Sequence, residues 1–111
     1  MDTPSTDVGL REVVGHGGNP PGQGPYIRIT LTLQGQVIQR ASYETYPCPS
    51  CHATGKAVCE LAEGRTVSGA GEIKWDQLVE KVGPLPRAKS HCYSLALLGL
   101  SGALGNAHRS E

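Results

Sequence analysis

The sequence predicts an α+β domain, an antiparallel sheet with helices packed on one of its faces. Three observations lead there. Strict apolar/polar alternation is confined to Tyr26–Leu33 and the run after it, helical periodicity begins only at Ser50, and no strand follows the helices as a βαβ fold would require. At 111 residues the chain supports one modest core. Phe is absent, so that core must be aliphatic.

Taken in order, residues 1–12 are polar and read as a flexible N-terminus. A single domain is expected from 13 to 106, with 107–111, including His108, as a flexible C-terminus. Val13 and Val14 offer a short edge strand. Gly15 to Pro25 is so rich in Gly and Pro that it reads as a loop, with His16 solvated in it. In the first clear strand Ile27, Ile29, Leu31 and Leu33 point one way, and Arg28, Thr30 and Thr32 the other. Gln34-Gly35-Gln36 is a tight turn, with Gly35 available for positive φ. Val37–Tyr46 returns antiparallel, with Val37, Ala41 and Tyr43 on one face, and Pro47 ends it because proline cannot donate to a ladder.

From Ser50, a candidate N-cap, Ala53, Ala57, Val58 and Leu61 recur at helical spacing, and Gly64 stands where a left-handed C-cap belongs. Trp75–Val82 is a second helix, stopped by Gly83-Pro84. A third is expected from about Ala88 to Leu104. Gly99 and Gly102 inside it cost about 1 kcal/mol each relative to Ala, so close approach to the sheet or another helix is expected to offset them.

Ten basic and ten acidic residues give zero formal charge, which removes any bulk electrostatic case for nucleic acid or an anionic membrane. No apolar run approaches the roughly 18 residues of a membrane span, and the first residues lack the basic and apolar regions of a signal peptide. A cytoplasmic protein is expected. In that compartment four cysteines serve as metal ligands, redox thiols or buried small hydrophobes rather than as structural disulfides.

Two clusters concentrate the chemistry: Cys48-Pro49-Ser50-Cys51-His52 and His91-Cys92, each where a proline-bearing loop opens a helix. A thiol at a helix start meets the positive end of the dipole and unpaired backbone donors, which favour thiolate. Soft thiolates with an imidazole suit zinc, iron or an iron-sulfur cluster rather than magnesium or calcium. Cys48, Cys51, Cys92 and His91 are four such donors, enough for a tetrahedral centre. Cys-x-x-Cys-His also matches covalent haem attachment, but there is no export signal and the sole Met is residue 1. A thioredoxin-like start needs strands after the helix, which residues 65–111 do not offer; a zinc ribbon needs a second Cys-x-x-Cys. Cys59, mid-helix beside Val58 and Leu61, reads as a packing thiol.

Three stretches carry a family resemblance: Tyr46-Pro47-Cys48, Glu63-Gly64-Arg65-Thr66, and Leu85-Pro86-Arg87-Ala88-Lys89-Ser90-His91-Cys92. Together they resemble the strand-ending Tyr-Gly-Cys, the Lys-Gly-Lys-Ser/Thr and the Leu-Pro-Pro-Val-Lys-x-His-Cys of iron-sulfur cluster scaffold proteins of the IscU and NifU amino-terminal type. The resemblance implies a three-stranded antiparallel sheet packed by helices and a non-enzymatic scaffold that binds a transient iron-sulfur cluster, or zinc. It also implies sulfur supply by a cysteine desulfurase and handover to apo acceptor proteins. Carried over, Cys48 and Cys92 match cluster cysteines and His91 the histidine. Where the family has Ala-Cys-Gly-Asp, this chain has Pro20-Pro21-Gly22-Gln23, with neither thiol nor carboxylate, and Cys51 has no family counterpart. The chaperone-binding stretch is kept only at Leu85, Pro86 and Lys89. The expected ligand set is Cys48, Cys51 and Cys92 with His91. The alternatives are a zinc-binding structural or regulatory relative, and a thiol redox or sulfur-relay protein using Cys48 and Cys51.

Overall fold

The computed structural model describes residues 10–20, 22–45, 49–85 and 91–109. Three strands, β1 (Leu10–Gly18), β2 (Tyr26–Gln34) and β3 (Val37–Thr45), precede four helices, α1 (Pro49–Ala62), α2 (Val67–Ala70), α3 (Trp75–Val82) and α4 (His91–Arg109). The sheet is antiparallel in the order β1-β2-β3, the α+β architecture expected.

Strand β2 is the centre of the core. Ile27, Ile29, Leu31 and Leu33 are each at most 1% exposed, and burying each such side chain stabilises the fold by on the order of 2 kcal/mol. Gly35 closes the hairpin to β3 with φ 62°, as the turn chemistry demands. Across the hairpin the phase shifts. Leu33 pairs with Ile38 but Thr32 pairs with Arg40, so Gln39 is an extra residue in β3. This bulge puts Ile38 and Ala41 on the buried face together and leaves Val37 41% exposed. The expectation that Val37, Ala41 and Tyr43 share one face is corrected at its first member.

Strand β1 is longer than a short edge at Val13–Val14. It begins at Leu10, within the stretch expected to be a flexible terminus, and continues through Gly15, His16, Gly17 and Gly18, where a loop was expected. The physical reason is a helix seated on it. Val13, Gly15 and Gly17 face inward while Glu12, Val14 and His16 face out. A methyl group on Gly15 would overlap the Gly99 carbonyl and the Ala103 amide of α4, and one on Gly17 would overlap the Leu95 carbonyl. From the other side, a Cβ on Gly102 would stand 3.2 Å from the Gly15 Cα, and one on Gly99 would stand 3.0 Å from the Ile27 carbonyl. Glycine meets glycine along this seam, which is why α4 tolerates two of them. The Asn106 side chain donates to the Val14 carbonyl farther along the seam. Helix α4 also runs on to Arg109, past the expected end near Leu104, with Ala107 1% exposed.

The other helices follow their signals with small shifts. Helix α1 starts at Pro49, one residue before the expected cap; proline suits a first turn because its missing N–H has no partner there. Gly64, at φ 87°, ends the helix and donates to the Ile38 carbonyl at 2.8 Å. The short α2 had no forecast; the Thr66 hydroxyl caps it by accepting from the Gly69 amide at 3.0 Å. Helix α3 stops at Gly83, whose N–H donates to Val79 at 2.7 Å. The expected start of the last helix at Ala88 lies outside the described residues, as do Arg87 and Lys89.

Candidate metal centre

The antiparallel order brings the end of β1, the start of β2, the end of β3 and the first turns of α1 and α4 to one end of the sheet. Cys51 is the third residue of α1 and Cys92 the second of α4. Although 41 positions apart in sequence, their Sγ atoms lie 2.8 Å apart, and both residues are 0% exposed. His91 stands beside them with Nε2 3.8 Å from the Cys92 Sγ, and it is exposed to solvent. The candidate donor atoms of these three residues all lie within 4.8 Å of one another. Two sulfurs are thus screened from water while an imidazole faces it.

Each first turn is held by an aromatic anchor that the sequence reading did not single out. For α1, Tyr43 of β3 packs its ring edge against His52, centroids 5.7 Å apart, with the Tyr43 hydroxyl 3.3 Å from His52 Nδ1. The Thr54 hydroxyl donates to the Cys51 carbonyl at 3.2 Å. For α4, the Tyr93 hydroxyl donates to the Gly83 carbonyl at 2.7 Å, and the Tyr93 ring packs on Trp75 at 5.1 Å. The available signal was adjacency: His52 directly follows Cys51, and Tyr93 directly follows Cys92. These contacts are made by residues at or next to the two first turns that carry the cysteines.

Of the expected site residues, the structure brings Cys51, His91 and Cys92 together. Cys48 lies outside the described residues. The β1–β2 loop closes on itself: the Asn19 N–H and side-chain amide both donate to the Pro25 carbonyl at 3.0 Å, and the Gln23 N–H donates to Pro20 at 3.0 Å. His16 is exposed, as expected, but from a strand. It stacks on Tyr26 at 5.2 Å, with Nε2 2.7 Å from the Asn19 carbonyl. Tyr26 in turn donates to Glu44 at 3.1 Å, and burial followed by that carboxylate raises its phenol above the ordinary range.

Cys59 is a different kind of thiol. It is 6% exposed on the body of α1, and burial, reinforced by Glu63 and Glu60, pushes its pKa up to about 12. It stays protonated at any physiological pH and fills space, as its mid-helix position implied.

Comparison with known proteins bears on this geometry. Residues 5–110 match the family described as NifU-like N terminal domain. The bifunctional protein NifU/MnmA of Rubrobacter xylanophilus is 40% identical over 99 residues, 87% of this chain and 20% of that protein. The iron-sulfur cluster assembly scaffold protein IscU 1 of Archaeoglobus fulgidus is 33% identical over 98 residues, 88% of this chain and 63% of its own. The IscU scaffold protein of Haemophilus influenzae is 33% identical over 107 residues, 96% of this chain and 80% of its own. The chain therefore spans only a fifth of the first of these proteins and less than two thirds of the second. Among the described residues, no helix is long and apolar enough to cross a membrane. With the sheet, the helix order and a match over nearly its whole length, the chain belongs to the NifU-like N terminal domain family.

Proposed function

We propose that this chain is a scaffold on which an iron-sulfur cluster is assembled, held by Cys51 and Cys92 with His91 and completed by Cys48. The observation that carries this reading is the meeting of two buried sulfurs and one exposed imidazole at two helix starts. The names of the relatives support the same reading. Here the chain's own groups have distinct tasks. The thiolates supply soft donors, first-turn N–H groups stabilise their negative charge, and burial keeps water from competing for the metal. His91, on the solvent side, is the donor that incoming iron meets first. Cys51 takes the place of the loop cysteine that Pro20-Pro21-Gly22-Gln23 does not provide. In this reading the protein is not an enzyme. Sulfur comes from a cysteine desulfurase, the finished cluster passes to apo acceptor proteins, and the work is done in the cytoplasm, where thiols stay reduced.

A second reading, a zinc-binding structural or regulatory relative, draws on the same donor set, because three thiolates and one imidazole satisfy tetrahedral zinc unaided. One experiment separates the two. The protein is purified anaerobically, and its metal content and visible spectrum are recorded before and after incubation with ferrous iron and a sulfide source. Thiolate charge-transfer bands, with iron and acid-labile sulfide in matching amounts and both lost in the Cys51→Ser Cys92→Ser double variant, are the expected result. A colourless protein holding stoichiometric zinc that iron does not displace would replace the first reading by the second. Iron and sulfide retained by the double variant would overturn the ligand assignment.

A further inference from the structure

The same two sulfurs stand at a separation that belongs to neither of the bonded states open to them. At 2.8 Å, Cys51 and Cys92 are closer than the roughly 3.8 Å between two thiolates on one tetrahedral zinc with Zn–S near 2.3 Å. They are also farther apart than the roughly 2.04 Å of a disulfide. The two sulfurs are in contact, so either state is reached by a small movement of the side chains.

From this geometry we infer that Cys51 and Cys92 form a reversible disulfide under hydroperoxide, and that the link excludes metal from the site. The inference rests on the metal-binding reading only for its second half. Both residues are 0% exposed, so the oxidant must be small, and hydrogen peroxide reaches them through a local opening of the site. One thiolate attacks a peroxide oxygen: an S–O bond forms, the O–O bond breaks, and the departing hydroxide takes a proton as water. The second thiol gives up its proton and attacks the sulfenic sulfur: an S–S bond forms, the S–O bond breaks, and a second water leaves. Two thiols lose two electrons in all, and the peroxide gains them. The partner proposed for Cys51 in this reaction is Cys92, whose sulfur it meets. Cys59, with its thiol held protonated by burial, is a built-in control.

The test uses the full chain, stripped of metal by a chelator, freed of reductant and treated with hydrogen peroxide. Residual thiols are blocked before non-reducing peptide mapping. The expected product is a Cys51–Cys92 link, reversed by dithiothreitol, with Cys59 still a thiol. Loading with zinc first, with zinc content measured separately, is expected to slow the link at least ten-fold. A disulfide containing Cys48 as the main product would overturn the inference, as would sulfinic acid on Cys51 or Cys92 without a link. A link that forms equally fast in protein shown to hold zinc would overturn its coupling to metal. If zinc does not bind yet the link forms, the metal-centre reading fails and the disulfide stands. A Cys92→Ser variant that folds must lose the link; should it not fold, the zinc-protection arm still decides.

Discussion

Cys51 and Cys59 lie on the same helix, eight positions apart, and each is almost wholly withdrawn from solvent. Their surroundings differ in kind. Cys51 stands in the first turn, where backbone N–H groups favour negative charge, and its sulfur meets the Cys92 sulfur and the His91 imidazole. Cys59 stands on the helix body beside Glu60 and Glu63, where burial and two carboxylates hold the thiol protonated up to about 12. On the proposed function, burial by itself therefore does not decide whether a cysteine is chemistry or packing. Position along the helix and the charges around the sulfur decide it.

The comparison can be broken most sharply by thiol reactivity. At pH 8 a thiol with a pKa near 12 is thiolate in roughly one molecule in ten thousand, so Cys59 in the native protein should alkylate about a thousand-fold more slowly than an ordinary thiol. Mass spectrometry after timed iodoacetamide treatment measures this, and modification of Cys59 at an ordinary rate would erase the contrast. Next in size is metal affinity. Cys51→Ala is expected to weaken zinc binding by about a hundred-fold or more, whereas Cys59→Ala leaves it within about two-fold, as competition with a chromogenic chelator would show.

A smaller effect concerns stability. Cys59 keeps its proton in the folded state up to about pH 12, while in the unfolded chain it ionises near its ordinary value of 9.0. Below that value both states hold the proton and the group contributes no pH dependence. Between there and about 12 the unfolded state binds fewer protons, so stability falls as pH rises. Urea denaturation across that window should show the slope in the wild type and a shallower one in Cys59→Ala, which also costs about 1 kcal/mol at neutral pH through lost packing. Smallest is Glu63→Gln. Glu63 accepts from the Ala41 N–H at 2.9 Å, a bond that an amide oxygen can keep. The change is expected to leave stability within about 0.5 kcal/mol and to speed Cys59 alkylation by no more than about three-fold, because burial rather than charge is the larger cause of its protonation.

How far the sequence could be read follows the same division between pattern and surroundings. Ile27, Ile29, Leu31 and Leu33 announced β2 because alternation survives in any context. The face of β3 was misjudged at Val37 because the bulge at Gln39 is a backbone event with no signature in side-chain type. Strand β1 was hidden for the opposite reason. Gly15 and Gly17 look like loop residues, yet with Val13 they keep a period of two, and their missing side chains are what let α4 lie directly on the strand. At the candidate site, the start of α1 was legible from proline, cysteine and the change of period, whereas the expected start of α4 lies outside the described residues. That Cys51 meets Cys92 was not legible, since it depends on how two helices whose starts lie far apart in the chain pack together.

The central claim is that two helix starts pool their sulfurs into one metal centre. X-ray absorption at the zinc edge, on zinc-loaded wild type and on Cys51→Ser, tests it most directly because it counts sulfur and nitrogen neighbours of the metal. The account predicts at least two sulfurs with one nitrogen in the wild type and one sulfur fewer in Cys51→Ser. A zinc ion bound by nitrogen and oxygen alone, or a sulfur count unchanged by the substitution, would contradict it.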